Sequence, residues 1–139
     1  MTYLVDANVL SEPTRPEPNS HALEWLSAHE GSLVVDAVVL GELCTGVLAL
    51  PRGRKRAALE RWLEAVIKTL ECLPWDAPVC RRWAQLVVDL RKKGHNLPVL
   101  DSMIAATALT HGLTVATRNV RDFRKSGVRV VDPFAGLAR

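Results

Sequence analysis

The sequence predicts an α/β fold of three layers, with a mainly parallel central sheet of four to five strands flanked by helices. Two observations predict it. Short apolar runs rich in strand formers alternate with longer segments of helical periodicity, the pattern of βαβ units. The first two of these runs, "YLVD" at 3–6 and "SLVVD" at 32–36, each close on an aspartate. Right-handed crossovers between parallel strands bring all the strand C-terminal ends to one edge, where open parallel sheets bind ligands. A carboxylate at the end of a strand is therefore placed where chemistry happens, although an aspartate there also serves as a plain helix cap.

The elements follow in order. Residues 3–5 form the first strand, and the proline-punctuated stretch "SEPTRPEPNS" at 11–20 must be loop or broken helix. Ala22, Leu23, Trp25 and Leu26 recur at helical spacing in 21–30, with Asn19 or Ser20 as N-cap and Gly31 as the stop. A second strand at 32–36 leads through Asp36, as N-cap, into a mostly buried helix over 37–51 that Pro51 ends. The segment 52–70 is an amphipathic helix whose apolar stripe is Leu59, Trp62, Leu63, Val66, Ile67 and Leu70. "ECLPW" at 71–75 is a third strand. The helix over 76–94 has Asp76 as N-cap, Pro78 in its first turn and Gly94 at its stop. The helix over 97–112 starts near Pro98 to Asp101, turns Ile104, Ala105, Ala108 and Leu109 to the core and stops at Gly112. "LTVAT" at 113–117 is a strand, 118–127 a polar connection and 128–132 a last short strand.

Bulk properties narrow the classes. A chain of 139 residues with 48% hydrophobic and 24% charged residues is expected to form one globular domain, residues 1–139, and not a disordered one. The net charge of +3 permits a polyanionic partner without demanding one. No apolar run approaches the ~18 residues that span a bilayer, and no secretory leader is visible at the N-terminus. Membrane association is therefore not expected, and a cytoplasmic location is. The odd set Cys44, Cys72 and Cys80, without a CxxC pair, argues against disulfides or a zinc knuckle. All three are expected to be buried thiols.

The fold sends a distinctive polar set to the sheet edge. Asp6 ends the first strand, Glu42 lies about two turns into the helix after the second, and Asp101 stands near the start of the helix that feeds the fourth. Asn119 follows that strand, with Asp122 three residues on. Carboxylates crowded into one pocket repel unless a cation neutralises them. Hard divalent cations take such oxygen ligands, whereas zinc favours His and Cys. Glu42 stands out because its neighbours "VVLG" and "LCTGVL" are apolar, and a carboxylate in such surroundings needs a partner. The set suits metal-dependent phosphodiester hydrolysis.

At this point the residues resemble a known family. "YLVDANVLSE", "GELCTGV", "LDSMIAATALTHGLTVATRNVRDF" and "VRVVDPF" are similar to PIN-domain ribonucleases. More narrowly they resemble the VapC/FitB type of bacterial toxin from type II toxin–antitoxin pairs, over Tyr3 to Phe134. The resemblance implies that Asp6, Glu42 and Asp101 hold Mg2+, with Mn2+ as an alternative, for RNA cleavage. It implies the fourth position of the quartet at Asn119, where many relatives carry Asp, so that the catalytic and metal set is Asp6, Glu42, Asp101 and Asn119. Asn8 would fix the loop around Asp6. Two further departures are Val39, where relatives often carry Thr or Ser, and Asp36, where Ser is usual. The implied partners are an RNA substrate (a tRNA or other structured RNA), a small antitoxin of VapB/FitA type seated on helices of the 37–70 region, and a second copy in a homodimer.

Other features have bland counterparts. The basic runs "RGRKR" at 52–56 and "RKK" at 91–93 are either solvated helix ends or contacts to an RNA backbone. Arg118 and Arg121, with Thr117, flank Asn119 and are the expected RNA-binding residues. Histidines 21, 29, 95 and 111 have no metal spacing, and the four tryptophans lie on apolar faces. A different class of function remains beside the nuclease: a catalytically weak or inactive PIN-like module that binds RNA or a protein partner because Asn119 removes a charge from the metal site.

Overall fold

The computed structural model describes residues 1–135. Five strands form one sheet in the order β3-β2-β1-β4-β5, every neighbouring pair parallel. The strands are β1 (Tyr3–Val5), β2 (Leu33–Asp36), β3 (Glu71–Leu73), β4 (Thr114–Ala116) and β5 (Val130–Val131). Helices connect them: α1 (Ala7–Leu10), α2 (Ser20–Ala28), α3 (Ala37–Leu48), α4 (Arg54–Thr69), α5 (Ala77–Lys92), α6 (Val99–His111) and α7 (Val120–Lys125). The predicted α/β class and the parallel sheet hold, with five strands.

The centre of the sheet is the most apolar part of the chain. Leu4, Val5 and Val115 have no exposed surface, and Val35 is buried beside them. Tyr3 pairs with Leu33 on one side and Thr114 on the other, so β1 is clasped by β2 and β4. Buried on both faces, such strands read as continuous apolar runs. Helix α6 supplies the same kind of surface: Ile104, Ala105, Ala106 and Ala108 are fully buried. The small alanines bring its backbone close to its neighbours, and burying each large aliphatic side chain adds about 1.5–3 kcal/mol.

Most helix ends follow the expected chemistry. Asn19, Asp36 and Asp76 cap α2, α3 and α5, each accepting a backbone N–H within the first turn. Gly112 closes α6 in the left-handed conformation at φ 65°.

Four expectations need correction. Residues 118–127 are not merely a polar connection, because 120–125 form α7, anchored by the fully buried Phe123. Helix α3 is not mostly buried: it ends at Leu48, which is 63% exposed, and only Val39, Leu43 and Val47 are buried. Helix α2 ends at Ala28 rather than at Gly31: His29 leaves the helical conformation as C-cap (φ -114°), its ring bonded to the Trp25 carbonyl (2.7 Å) and stacked on the Trp25 indole. Cys72 and Cys80 are exposed and Cys44 is half-buried, so none is a core thiol. Among the described residues, no helix is long and apolar enough to cross a membrane.

Candidate metal centre and its surroundings

Asp6 sits where β1 gives way to α1. Its backbone N–H bonds the Ala116 carbonyl (2.9 Å), so the end of β4 fixes its main chain. Its side chain is 4% exposed and held at both oxygens. Oδ1 accepts the Ala7 N–H (2.8 Å), and Oδ2 accepts the Thr117 hydroxyl (2.7 Å) and the Asn8 amide (3.2 Å). Asp6 therefore caps α1 from the C-terminal end of β1.

Thr117 ties this corner together. While its hydroxyl donates to Asp6, its oxygen accepts the Asn119 N–H (3.0 Å). Asn8 adds a second bridge by accepting the Arg118 N–H at its Oδ1 (3.1 Å). This bears out the expected role of Asn8 and changes that of Thr117. Thr117 is fully buried and is bonded to Asp6, so it supports the carboxylate rather than touching RNA.

Asp101 and Asn119 meet across the edge. The Asn119 Nδ2 donates to Asp101 Oδ2 (2.7 Å) and to Asp122 Oδ2 (3.0 Å). Helix α7 turns Asp122 inward, and Lys125 reaches its other oxygen at 3.5 Å. An amide NH2 group thus bridges two carboxylates. Among the described residues, no group of three or more His, Cys, Asp or Glu side chains is gathered closely enough to hold an ion as it stands. The partial positive charge of the Asn119 amide is the partner that Asp101 and Asp122 share.

Glu42 completes the set electrostatically. Its Oε1 is buried, and it is the one buried side-chain oxygen or nitrogen among the described residues without a hydrogen-bond partner. Burial, and then the charges of Asp6, Asp101 and Asp36, push its carboxyl up to about 7. Burial and the Asp6 charge push Asp101 up to about 6, against the opposing bond from Asn119. Burial also raises Asp6, with the bonds from Thr117, Ala7 and Asn8 acting the other way. These are negative groups that feel one another and lack a neutralising charge. An orphaned buried oxygen, mutual repulsion and an all-oxygen donor set fit a hard divalent cation, and they do not fit zinc.

The cationic rim is looser. Arg118 and Arg121 are exposed beside Asn119, and the Arg118 guanidinium lies 4.4 Å from the centre of the Phe134 ring. Two buried polar groups carry more than the sequence suggested, Glu12 and Asp36. Glu12 is 3% exposed and accepts the Asn19 N–H (3.0 Å) and the Arg15 guanidinium (3.4 Å), which orders the proline-rich loop. Asp36 caps α3 as expected, and it also accepts a second bond, from Thr107 on α6 (2.7 Å).

A sequence profile described as the PIN domain matches residues 3–128. The chain belongs to the PIN-domain family. This PIN domain is 38% identical over 135 residues to the toxin FitB of Neisseria gonorrhoeae, covering 94% of this chain and 97% of the relative. It is 33% identical over 135 residues to the VapC ribonuclease Y4jK of Sinorhizobium fredii, covering 94% and 96%. It superposes on a chain of the FitAB assembly bound to a DNA fragment with a TM-score of 0.92 and 33% identity, covering 99% of each chain. The PIN-domain relationship and the narrower likeness to VapC and FitB toxins thus rest on nearly the whole chain.

Proposed function

We propose that this PIN domain is a metal-dependent endoribonuclease, the toxin of a type II toxin–antitoxin pair, active in the bacterial cytoplasm and inhibited by a small VapB-like antitoxin. The observation that carries this reading is the buried, unpaired Glu42 Oε1, on a carboxyl that feels the charges of Asp6 and Asp101 from two other segments. The names of the relatives, toxin and ribonuclease, support the same conclusion.

Asp6 and Asp101 would hold Mg2+ or Mn2+, with Glu42 and Asn119 as further ligands or as orienters of its waters. A cation bound there supplies a Lewis acid for the phosphodiester and an acidified water at neutral pH. The chain's own residues do the rest. Thr117, Asn8 and the Ala7 N–H keep the Asp6 carboxylate in one orientation. Asn119 keeps Asp101 aligned and, through Asp122, brings a fourth carboxylate to the rim, which offsets the charge lost by having Asn at 119. Arg118 and Arg121 provide positive charge for the flanking RNA phosphates.

The apolar groove between α3 and α4 supports an antitoxin-binding role. Its volume is about 830 Å³, and Val47, Leu48 and Leu63 line it with charged Glu60, Arg61, Glu64 and Lys68 around them.

The deciding experiment is cleavage of a structured RNA, with tRNA as first choice, with and without Mg2+, comparing wild type with Asp101→Asn. Metal-dependent cleavage by wild type, abolished in a folded Asp101→Asn, is expected. Full activity of Asp101→Asn would sink the metal assignment. Absence of any metal-dependent cleavage by antitoxin-free protein would favour a non-catalytic binding module.

A further inference from the structure

Asp36 is a carboxylate 1% exposed to solvent at the C-terminal end of β2, and Thr107 is a fully buried hydroxyl in α6. Each arm of Asp36 has its own partner. Oδ1 accepts the Val39 N–H (2.8 Å) and so caps α3, whereas Oδ2 accepts the Thr107 hydroxyl (2.7 Å). A serine here would supply the cap alone. The second arm joins α3 to α6, elements 71 residues apart in sequence.

The location of this bond gives it a purpose. Glu42 lies six residues beyond Asp36 on α3, and Asp101 lies six residues before Thr107 on α6. Each is about 9 Å of helix axis from the bond, at 1.5 Å rise per residue. Between the two helices lies a cleft of about 600 Å³, lined by Val38, Gly41, Glu42, Leu100 and Met103. Val39 and Leu43 of α3 share the buried core with Ile104 and Ala105 of α6, and the Asp36–Thr107 bond adds a polar, directional tie to that apolar contact. The buried hydrogen bond has little solvent to compete with it, and such bonds are stronger than exposed ones. Burial lifts the Asp36 carboxyl above its ordinary range, while the bonds from Val39, Thr107 and Val38 act against that rise and the Asp6 charge adds to it.

We propose that the Asp36–Thr107 hydrogen bond is a clamp that sets the separation of Glu42 from Asp101, which makes Asp36 and Thr107 positioning residues for cation binding. The clamp rests on the metal-dependent reading above. Its loss leaves both acidic ligands present but poorly spaced, so cation affinity falls more than folding stability does.

The test is calorimetric titration of the full chain with Mn2+ in the absence of RNA, alongside thermal unfolding. Thr107→Val removes the hydroxyl at nearly constant volume, and Asp36→Ser keeps a capping oxygen but lacks the second arm. Each is expected to weaken Mn2+ binding about tenfold, the lower end of what outer-shell partners of metal ligands contribute. Thr107→Ser restores wild-type affinity. Val66→Ala, a core truncation in α4, is the control: it lowers Tm without changing Mn2+ affinity. Wild-type Mn2+ affinity in Thr107→Val overturns the clamp alone. A wild-type chain that binds no Mn2+ overturns the metal reading and the clamp with it. Equal weakening in Val66→Ala reduces Asp36 and Thr107 to general stabilising residues.

Discussion

Glu42 and Asp101 are pushed up to about 7 and about 6 from ordinary values of 4.5 and 3.8. Both groups therefore bind a proton more tightly in the folded chain than in the unfolded one. The folded state then gains most below pH ~4, and this advantage is lost as pH rises through 6 and 7. In the presence of a chelator, Tm is expected to be lower at pH 8 than at pH 5.5. Millimolar Mg2+ should reverse the difference, because a cation favours the ionised carboxylates and displaces their protons. Calorimetric scans at the two pH values check this, and a Tm that rises from pH 5.5 to 8 in chelator contradicts it. Thr117 offers a second test. Thr117→Val keeps the shape but strips Asp6 Oδ2 of its 2.7 Å donor, which costs about 1–3 kcal/mol for a buried group left short of a partner. Urea unfolding should show that loss, and RNA cleavage should fall at least tenfold. Asp6, Glu42 and Asp101 were legible in the sequence because each is a carboxylate beside an apolar strand or helix face. The burial of Thr117 was not, because a threonine that ends a strand reads equally well as rim or as support, and only the pairing of β1 with β4 decides between them.

The strands and long helices were legible because their apolar periodicity extends over enough residues to be distinctive. Helix α7 was not, because six residues with one buried anchor, Phe123, carry no periodic signal. That omission had a chemical consequence, since α7 is what turns Asp122 toward Asn119. The joint between α6 and β4 makes a separate prediction. Gly112 adopts φ 65°, with no heavy atom within 4 Å of the place a Cβ would occupy. Gly112→Ala therefore meets no steric clash, and its cost is the left-handed backbone alone, about 1–2 kcal/mol. Chemical denaturation should report that loss with an unchanged m-value. Since the joint precedes β4 and Asn119 follows it, the two lie at opposite ends of that strand, and cleavage measured below Tm should change little.

The sheet order places β1 at the centre with β2 and β4 beside it, and this topology, more than any single motif, assembles the acidic set. Its consequence, a shared edge, could be inferred from strand–helix alternation, but the order of the strands could not. The α3–α4 groove is lined by none of Asp6, Glu42, Asp101 and Asn119 and provides a separate prediction. Leu48, 63% exposed on its wall, is expected to be an anchor for the antitoxin. Leu48→Glu should weaken the complex at least tenfold, about 1.4 kcal/mol or more, and leave RNA cleavage by the free chain unchanged. Calorimetry with the cognate antitoxin and a cleavage assay check both halves.

The bond between Thr117 and Asp6 spans 111 residues, and it has a consequence for biosynthesis. Residue Val5 of the first strand leaves the ribosome well before its partner Ala116 in β4. Until then the middle of the sheet has no second wall, Asp6 has no Thr117, and Asn119 does not yet exist. A chain cut short before Thr114 is expected to show neither a cooperative unfolding transition nor any cleavage of RNA. A nascent copy that lacks β4 therefore has no assembled acidic edge.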